Sequence, residues 1–301
     1  AGTLNIDQVE ITITADDASK VYGDSDPELT YEISSGSLVG DDALSGLLER
    51  ESGEDVGIYA INQGSLSAGD NYTITFIPGT FTITQALLTV TADNKTKVYG
   101  EANPVLTVIV TGWVDDEDET VLNNAPNAIT SANELSVVGD YDITAGGGSD
   151  NNYDFTYTDG NLSVTKAWLT VTADNKTKVY GEANPVLTVI VTGWVDDEDE
   201  TVLNNAPNAI TSANELSVVG DYDITAGGGS DNNYDFTYTD GNLSVTKASL
   251  IVHVDRQVIT VEDTLPEITY TFFGFVNGDT ISELDTLYYV LDLINGAGIY
   301  K

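Results

Sequence analysis

The chain has 301 residues, enough for two or three domains of ordinary size. It carries 49 acidic and 10 basic residues, a formal net charge of −39, so it repels nucleic acids and anionic membranes. It contains no cysteine, which excludes disulfides, and no apolar run long enough to cross a membrane. We therefore expect a protein that neither binds nucleic acid nor inserts into a membrane, and the absence of both cysteine and methionine leaves no sulfur to oxidise, which fits an extracellular location.

A long repeat organises the sequence. Residues 88–167 and 169–248 are the same 80 letters at a spacing of 81. A diverged copy precedes them, and an incomplete copy follows from about Ser249 to Lys301. The predicted domains are residues 1–86, 87–167, 168–248 and 249–301. Because no Gly-, Ser- or Pro-rich linker separates the repeats, we expect them to lie end to end as a rod.

Repeat 2 shows the expected strands in chain order. Alternating apolar and Thr residues over 88–92 indicate a half-buried strand. Residues 105–113 are apolar on both faces, which predicts a central strand. Residues 120–122 are predicted to form a helical turn with acidic residues at its start. Two further short strands are predicted at 135–138 and 141–144, followed by a flexible turn at 146–148.

The end of repeat 2 predicts a β-hairpin. The segments YDFTYT and NLSVTK flank Asp159 and Gly160, a pair that favours a two-residue type I′ turn. That turn would place Tyr157 opposite Leu162. Six or seven short strands per repeat predict an all-β protein of tandem small β-sandwich, Ig-like domains, with a β-grasp-like sheet as the alternative.

The segment KVYG, at residues 20–23, 97–100 and 178–181, resembles the repeat of the MBG family of YGX type. In each case a proline and then an apolar residue follow at fixed spacing. The fourth copy departs from the pattern, because Val261 and Glu262 stand where Tyr and Gly are expected. A later triplet, Gly298 to Tyr300, matches residues 57–59 of repeat 1.

The resemblance implies a function in attachment. Such repeats are similar to those of very large secreted adhesins of Bacteroidetes-type bacteria, including gliding-motility adhesins. It implies binding to glycans or proteins of a surface through the parent adhesin, and no catalytic residues. We expect the repeats to form a stalk that projects a distal binding region and to be monomeric in isolation. The alternative is a multivalent array of weak glycan- or surface-binding repeats.

Dense acidic residues raise the question of calcium, which takes several oxygen ligands. The spacing does not match an EF-hand loop, so a solvated acidic loop is the alternative. No cofactor is required by either interpretation. The candidate calcium ligands are Asp115, Asp116, Asp118, Asp140 and Asp142, with Asp196, Asp197 and Asp199 in repeat 3.

Trp113 and Trp194 are the candidate ligand-binding aromatics, with packing at a strand end as the alternative. Trp168 is expected to pack at the junction between repeats rather than to stack on a ligand. The single histidine, His253, has no second His or Cys as a partner for zinc, and we expect an ordinary strand residue. The identical repeats contain neither His nor Arg, so we expect no enzyme.

Overall fold

The computed structural model describes residues 2, 5–257, 264 and 266–284, which form strands, connecting loops and short 3-10 helices. The chain divides into two compact units, Ala1–Thr165 and Lys166–Lys301. The first contains repeats 1 and 2, and the second contains repeats 3 and 4. The predicted all-β fold of tandem small domains is confirmed. The predictions at Val261, Glu262 and residues 298–301 lie outside the described residues.

The strands have the following bounds. Those of repeat 1 are β1 (Val9–Ala15), β2 (Ala18–Val21), β3 (Tyr31–Ser35), β4 (Glu49–Arg50), β5 (Gly57–Asn62), β6 (Tyr72–Ile77) and β7 (Gly79–Thr84). Those of repeat 2 are β8 (Ala86–Ala92), β9 (Lys95–Val98), β10 (Val108–Thr111), β11 (Asn124–Thr130), β12 (Gly139–Ser149), β13 (Tyr153–Thr158) and β14 (Gly160–Thr165). Those of repeat 3 are β15 (Ala167–Ala173), β16 (Lys176–Val179), β17 (Val189–Thr192), β18 (Asn205–Thr211), β19 (Gly220–Ser230), β20 (Tyr234–Thr239) and β21 (Gly241–Thr246). The described part of repeat 4 has β22 (Ile251–Val254) and β23 (Tyr270–Phe273).

Short 3-10 helices occupy equivalent places after the third strand of repeats 2 and 3 and after β23. They span Glu119–Val121, Glu200–Val202 and Ile281–Glu283. The helical turn predicted just after the acidic loop of repeat 2 is thus confirmed.

Each complete repeat is a two-layer sandwich. In repeat 2 one sheet has the order β10-β8-β13 and the other the order β11-β12-β14-β9. The first strand, β8, runs parallel to β13, and the last strand, β14, runs parallel to β9. The remaining pairs are antiparallel. The chain therefore crosses from one sheet to the other several times within each repeat.

The core of repeat 2 lies between its two sheets, because alternate side chains along each strand are apolar and point toward the other sheet. On β8, Leu88 and Val90 are fully buried, whereas Leu87 is 54% exposed. Val90 meets Ile143 of β12 and Leu162 of β14, which are also fully buried, whereas Leu88 packs with Ala86 and Tyr153. Each such side chain contributes roughly 1.5–3 kcal/mol by leaving water, so this layer of contacts holds the sheets together.

The predicted C-terminal hairpin is wrong, because its two strands belong to different sheets. Neither Asp159 nor Gly160 has the positive φ that a type I′ turn requires. Instead, Asp159 Oδ1 accepts a hydrogen bond from the Ala145 amide at 2.9 Å. Gly160 passes so close to β8 that a β-carbon on it would lie 2.7 Å from the Ala92 carbonyl oxygen. The Asp-Gly pair is therefore a crossing point between sheets, and Tyr157 does not oppose Leu162.

The prediction of a central strand over residues 105–113 is wrong, both in the length of the strand and in its place in the sheet. The observed strand β10 covers only Val108–Thr111, and it lies at the edge of its sheet. Val105 is 82% exposed and Ile109 is 55% exposed, so the second apolar face points to solvent. An apolar run with both faces occupied does not by itself distinguish a central strand from an edge strand.

The glycine-rich segment of repeat 2 is part of a strand rather than a turn. Residues 146–148 lie within β12, which pairs with the unpredicted strand β11. Gly147 and Gly148 have φ of 70° and 79°, which distorts the ladder without breaking it. Pro126 opposes Gly147 on β11, an edge strand that tolerates the missing donor. The strand predicted at 135–138 is not formed.

Candidate inter-repeat interface

The candidate calcium ligands of repeat 2 lie in two places. Asp115, Asp116 and Asp118 follow β10, whereas Asp140 and Asp142 lie on β12. Across the described residues, no group of three or more His, Cys, Asp or Glu side chains could hold a metal ion. Calcium binding by these residues stays a prediction. The equivalent loop residues of repeat 3 are Asp196, Asp197 and Asp199.

Several of these acidic side chains have structural partners. Asp118 caps the 3-10 helix, its Oδ1 accepting from the Thr120 amide at 2.9 Å and from the Thr120 hydroxyl at 2.6 Å. These hydrogen bonds, the hydroxyl first, lower the pKa of Asp118. The Asp140 pKa is lowered by hydrogen bonds from Asn161, at 3.1 Å, and then Ser163. Both carboxylates are thus stabilised in their charged form without a metal.

The tryptophans differ in exposure. Trp113 is half-buried, with its ring 5.6 Å from that of Tyr153 in an edge arrangement. Trp194 repeats this arrangement on Tyr234 and donates its Nε1 hydrogen to the Val191 carbonyl at 3.2 Å. Trp168 lies on β15 with 60% of its surface exposed, and its packing at the junction between repeats stays a prediction. Ligand binding by Trp113 and Trp194 stays a prediction.

The acidic loop of repeat 2 builds a turn that begins at Val114. The Glu117 amide donates to the Val114 carbonyl at 3.1 Å, and Asp115 between them has φ of 51°, which Asp adopts more readily than most residues. The Val114 amide donates to the Tyr153 hydroxyl at 2.9 Å, and that hydroxyl donates to Glu117 Oε2. We call the surface around this turn, formed by Trp113, Val114, Glu117, Asn152 and Tyr153, the acceptor face.

A second surface, in repeat 1, covers the acceptor face of repeat 2 inside the first compact unit. It consists of Tyr22, Gly23, Asp55 and Val56, and we call it the Tyr-Gly end. Tyr22 and Gly23 belong to the KVYG segment, just after β2, and the other two residues directly precede β5.

Tyr22 makes the central contact of this interface. Its hydroxyl donates to Glu117 Oε1 at 2.9 Å, so one carboxylate receives tyrosine hydroxyls from two repeats. The rings of Tyr22 and Tyr153 lie 5.5 Å apart in an edge arrangement. Such aromatic pairs add about 0.5–1.5 kcal/mol beyond area burial.

Electrostatics follow from this burial. Burial is the largest cause that raises the pKa of Tyr22, and the hydrogen bond to Glu117 is the second. The same two causes, in the same order, raise the pKa of Tyr153. Both hydroxyls therefore remain protonated, and able to donate to Glu117, through the neutral range.

Gly23 allows the two repeats to approach. A β-carbon on Gly23 would stand 2.3 Å from Val114 Cγ1, closer than side-chain atoms ever pack. Gly23 also has φ of 88°, which side-chain-bearing residues rarely adopt. The glycine of the KVYG segment is therefore required twice, once by its own turn and once by the next repeat.

Asn152 completes the contact on the opposite side. Its Oδ1 accepts from the Val56 amide at 2.9 Å, and its Nδ2 donates to Asp55 Oδ1 at 3.0 Å. The amide thus uses both of its groups on repeat 1. Only Gln85 lies between β7 and β8, and its Nε2 donates to the Tyr153 carbonyl at 2.9 Å. The connecting residue is itself fixed to repeat 2.

The second compact unit contains the same kind of contact between repeats 3 and 4. The Tyr180 hydroxyl donates to Asp279 Oδ1 at 3.4 Å. A β-carbon on Gly181 would lie 2.5 Å from Val276 Cγ2. Asn277, with φ of 54°, takes the left-handed position of the turn. The interface is therefore a recurring feature rather than a peculiarity of repeat 1.

The lysine of KVYG supports the Tyr-Gly end from behind. In repeat 1, Lys20 forms ion pairs with Asp26, at 2.8 Å, and with Glu54, beside Asp55. Arg50 joins the group, and its hydrogen bonds, followed by those of Lys20, lower the pKa of Asp26 to about 2. The two segments of the Tyr-Gly end are thereby tied together.

In repeat 2 the equivalent lysine uses carbonyls instead of carboxylates. Lys97 is 4% exposed, and its Nζ donates to the carbonyls of Glu101, at 2.9 Å, Asn133, and Glu134, at 3.3 Å. Glu101 follows the Tyr-Gly pair directly, so the buried amine holds that turn against the loop before β12. Lys97 lies on strand β9.

Sequence reasoning found the KVYG motif but missed what it does. Tyr22 and Glu117 are 95 positions apart, so no local pattern links them. One signal was present: a Val followed three residues later by an acid recurs in all four repeats, at Val39, Val114, Val195 and Val276. Its companion is an Asn-Tyr pair whose tyrosine begins the sixth strand of each complete repeat.

The fold and interface define a class of protein: an all-β tandem-repeat chain in which the two repeats of each compact unit interlock through one motif. The MBG domain (YGX type) matches residues 11–82, 88–163 and 169–244. The chain therefore belongs to the MBG family and is a region of three tandem MBG repeats followed by a further, diverged segment. The resemblance noted in the sequence is confirmed at the level of the family.

Other comparisons add little. No curated protein matches the chain. A solved structure described as "Crystal structure of Drosophila N-cadherin EC1-3, I" is similar at 10% identity, covering 63% of this chain and 76% of that chain, with a TM-score of 0.18. At that score the likeness carries no argument. No helix among the described residues is long and apolar enough to cross a membrane.

Proposed function

We propose that the chain is a stalk segment of a secreted or cell-surface adhesin that holds a distal binding region away from the cell. The observation that carries this proposal is the direct interlock of repeats 1 and 2 through Tyr22, Gly23 and Asn152. A single connecting residue, Gln85, which is itself fixed to repeat 2, leaves little freedom for bending. A segment that resists bending is suited to a spacer.

The wider proposal follows from the family. The parent protein would be an extracellular adhesin of the type found in Bacteroidetes-type gliding bacteria, contacting surface glycans or proteins through its other parts. The segment itself would be monomeric, without catalytic activity or required cofactor. Its net charge of −39 would keep such a protein soluble and would repel neighbouring copies.

Small-angle X-ray scattering of the full chain tests the stalk, once in EDTA and once in calcium. A compact chain of this length has a radius of gyration of about 19 Å. Four domains in line, each about 35 Å long, would give roughly 40 Å. A value near 40 Å in both solutions supports a stiff spacer without metal. An extended chain in calcium but not in EDTA would indicate that the acidic loops bind calcium. A radius of gyration near 19 Å would contradict the stalk.

A multivalent binding array is the second candidate function. It is favoured by Trp168, which is 60% exposed on β15 and could stack on a sugar ring. Trp113 and Trp194, half-buried against tyrosines, are weaker platforms. The test compares Trp168→Ala with the double variant Trp113→Ala, Trp194→Ala for folding and for glycan binding. Lost binding with folding intact identifies a ligand platform, and lost folding identifies a core residue.

A further inference from the structure

Repeat 1 has an acceptor face of its own. The Val39 amide donates to the Tyr72 hydroxyl at 2.8 Å, and that hydroxyl donates to Asp42 Oδ2 at 2.7 Å. The Asp42 amide donates to the Val39 carbonyl at 3.2 Å, across Gly40, which has φ of 62°. These are the contacts of the turn in repeat 2, made by equivalent atoms. Asn71 stands in the position of Asn152.

This face is uncovered in the described structure. Val39 is 59% exposed, and Asp42 and Asn71 are exposed as well. Their counterparts in repeat 2 are half-buried beneath the Tyr-Gly end of repeat 1. Within the first compact unit the same side chains are therefore assembled twice and covered once, which leaves an interface surface without its partner.

The residue that precedes repeat 1 also has the geometry of a connecting residue. Gln8 Nε2 donates to the Asp70 carbonyl at 2.7 Å, as Gln85 Nε2 does to the carbonyl of the equivalent Asn151 at 3.3 Å. Gln8 thus fixes the chain entering repeat 1 to the loop beside Asn71. A domain attached at this residue would be delivered to the exposed face.

We infer that the acceptor face of repeat 1 binds the Tyr-Gly end of another MBG repeat, attached through the residue at Gln8. The incoming tyrosine hydroxyl donates to Asp42, as Tyr180 donates to Asp279, which is also an aspartate. The incoming glycine leaves room for the Val39 side chain. A backbone amide equivalent to that of Val56 donates to Asn71.

The partner is not a second copy of this chain. Tyr22 and Tyr180 already contact the repeats that follow them, and Tyr99 is only 5% exposed. The fourth repeat has Val261 and Glu262 in place of Tyr and Gly. The occupant is therefore a Tyr-Gly repeat other than those of this sequence.

The test uses the full chain and a fusion that carries one added copy of residues 86–165 joined directly before Gln8. Both carry Val39→Cys, the only thiol in a chain without cysteine. We expect a soluble thiol reagent to label the fusion at least about tenfold more slowly than the unfused chain, because the docked glycine turn covers the side chain. This local measurement does not depend on overall shape, so its outcome is separate from that of the stalk proposal.

A matched control fusion carries Tyr99→Ala in the added copy, and it should label at nearly the rate of the unfused chain. Hydrogen exchange over residues 38–43, measured without the cysteine, should slow in the fusion and provides the same answer if the variant folds poorly. Equal labelling and equal exchange with and without the added copy would overturn the inference. Protection of the unfused chain that grows with its concentration would also overturn it, because the occupant would then be a second copy.

Discussion

Gly23 and Val114, which belong to different repeats, are in such close contact that a β-carbon on the glycine would lie 2.3 Å from Val114 Cγ1. Gly23→Ala should therefore separate repeats 1 and 2 as well as strain the turn. Gly69 is the matched control, since it has φ of 81° but no atom within 4 Å of the place that a β-carbon would occupy. We expect Gly23→Ala to lower the free energy of unfolding by at least about 1 kcal/mol more than Gly69→Ala, measured by denaturant unfolding. Equal losses would show that the contact adds nothing.

The Tyr22 hydroxyl should make the interface sensitive to alkaline pH. The folded-state pKa of Tyr22 is raised above its ordinary value of 10.0, first by burial and then by Glu117. A raised pKa contributes stability that is complete below the ordinary value and is lost as pH rises above it. Tyr22→Phe should be less stable at neutral pH and should lose less stability between about pH 9 and about pH 11. Thermal melts across this range test the sign, with exposed Tyr31→Phe as the control.

Replacing Lys97 should lower the free energy of unfolding far more than replacing its neighbour Lys95. Lys97→Met leaves three partly buried carbonyls without their shared donor, at a cost of about 1–3 kcal/mol. Lys95 is more exposed and lies 3.6 Å from Asp93, so Lys95→Met should change stability by less than about 0.5 kcal/mol. Denaturant midpoints of the two variants give the comparison. Similar midpoints would mean that the carbonyls find water or other donors.

The crossing at Gly160 gives a test of the observed topology. Gly160→Ala would place a methyl group 2.7 Å from the Ala92 carbonyl oxygen, whereas Gly146 has open space around it and lies in the same repeat. We expect Gly160→Ala to destabilise repeat 2 by about 1–3 kcal/mol and Gly146→Ala by clearly less. The readout is amide exchange of β8 and β14. Protection of both strands that survives Gly160→Ala unchanged would contradict the close crossing.

The elements predicted correctly are those whose signal is local. Alternation over residues 88–92 reports which side faces a core, and Asp118 before Thr120 marks the start of the 3-10 helix. Both depend on neighbours within a few positions. The spacing of the repeats likewise needed nothing beyond self-similarity in the sequence.

The prediction of a hairpin at the end of repeat 2 was wrong because pairing with strands distant in the sequence outweighs the local turn propensity. Asp159 and Gly160 suit a tight turn, but the hydrogen bonds of β13 are taken by β8 and those of β14 by β9 and β12. Strand β13, which carries Tyr157, and strand β14, which carries Leu162, therefore lie in different layers of the sandwich. Turn propensity says which residues permit a reversal and not which strands are free to pair.

The interface between repeats could not be predicted from the sequence, for a different reason. Its parts come from two repeats, and each part is also explained within its own domain as a turn or an acidic loop. Glu117 lies in the acidic loop among the candidate calcium ligands, and its charge is visible in the sequence, whereas the tyrosine hydroxyls that donate to it are far from it along the chain. Only the fold brings Tyr22 to that carboxylate.

The parallel pairing of the terminal strands governs how a repeat responds to a pull on its ends. In repeat 1 the first strand, β1, lies beside β6 over six residue pairs, and the last strand, β7, lies beside β2. A tensile load along the chain slides each terminal strand lengthwise past its neighbour. The hydrogen bonds of a pair then share the force and must fail together, whereas a terminal hairpin would open one bond at a time. Each repeat is thereby built to bear tension along the direction in which its chain runs.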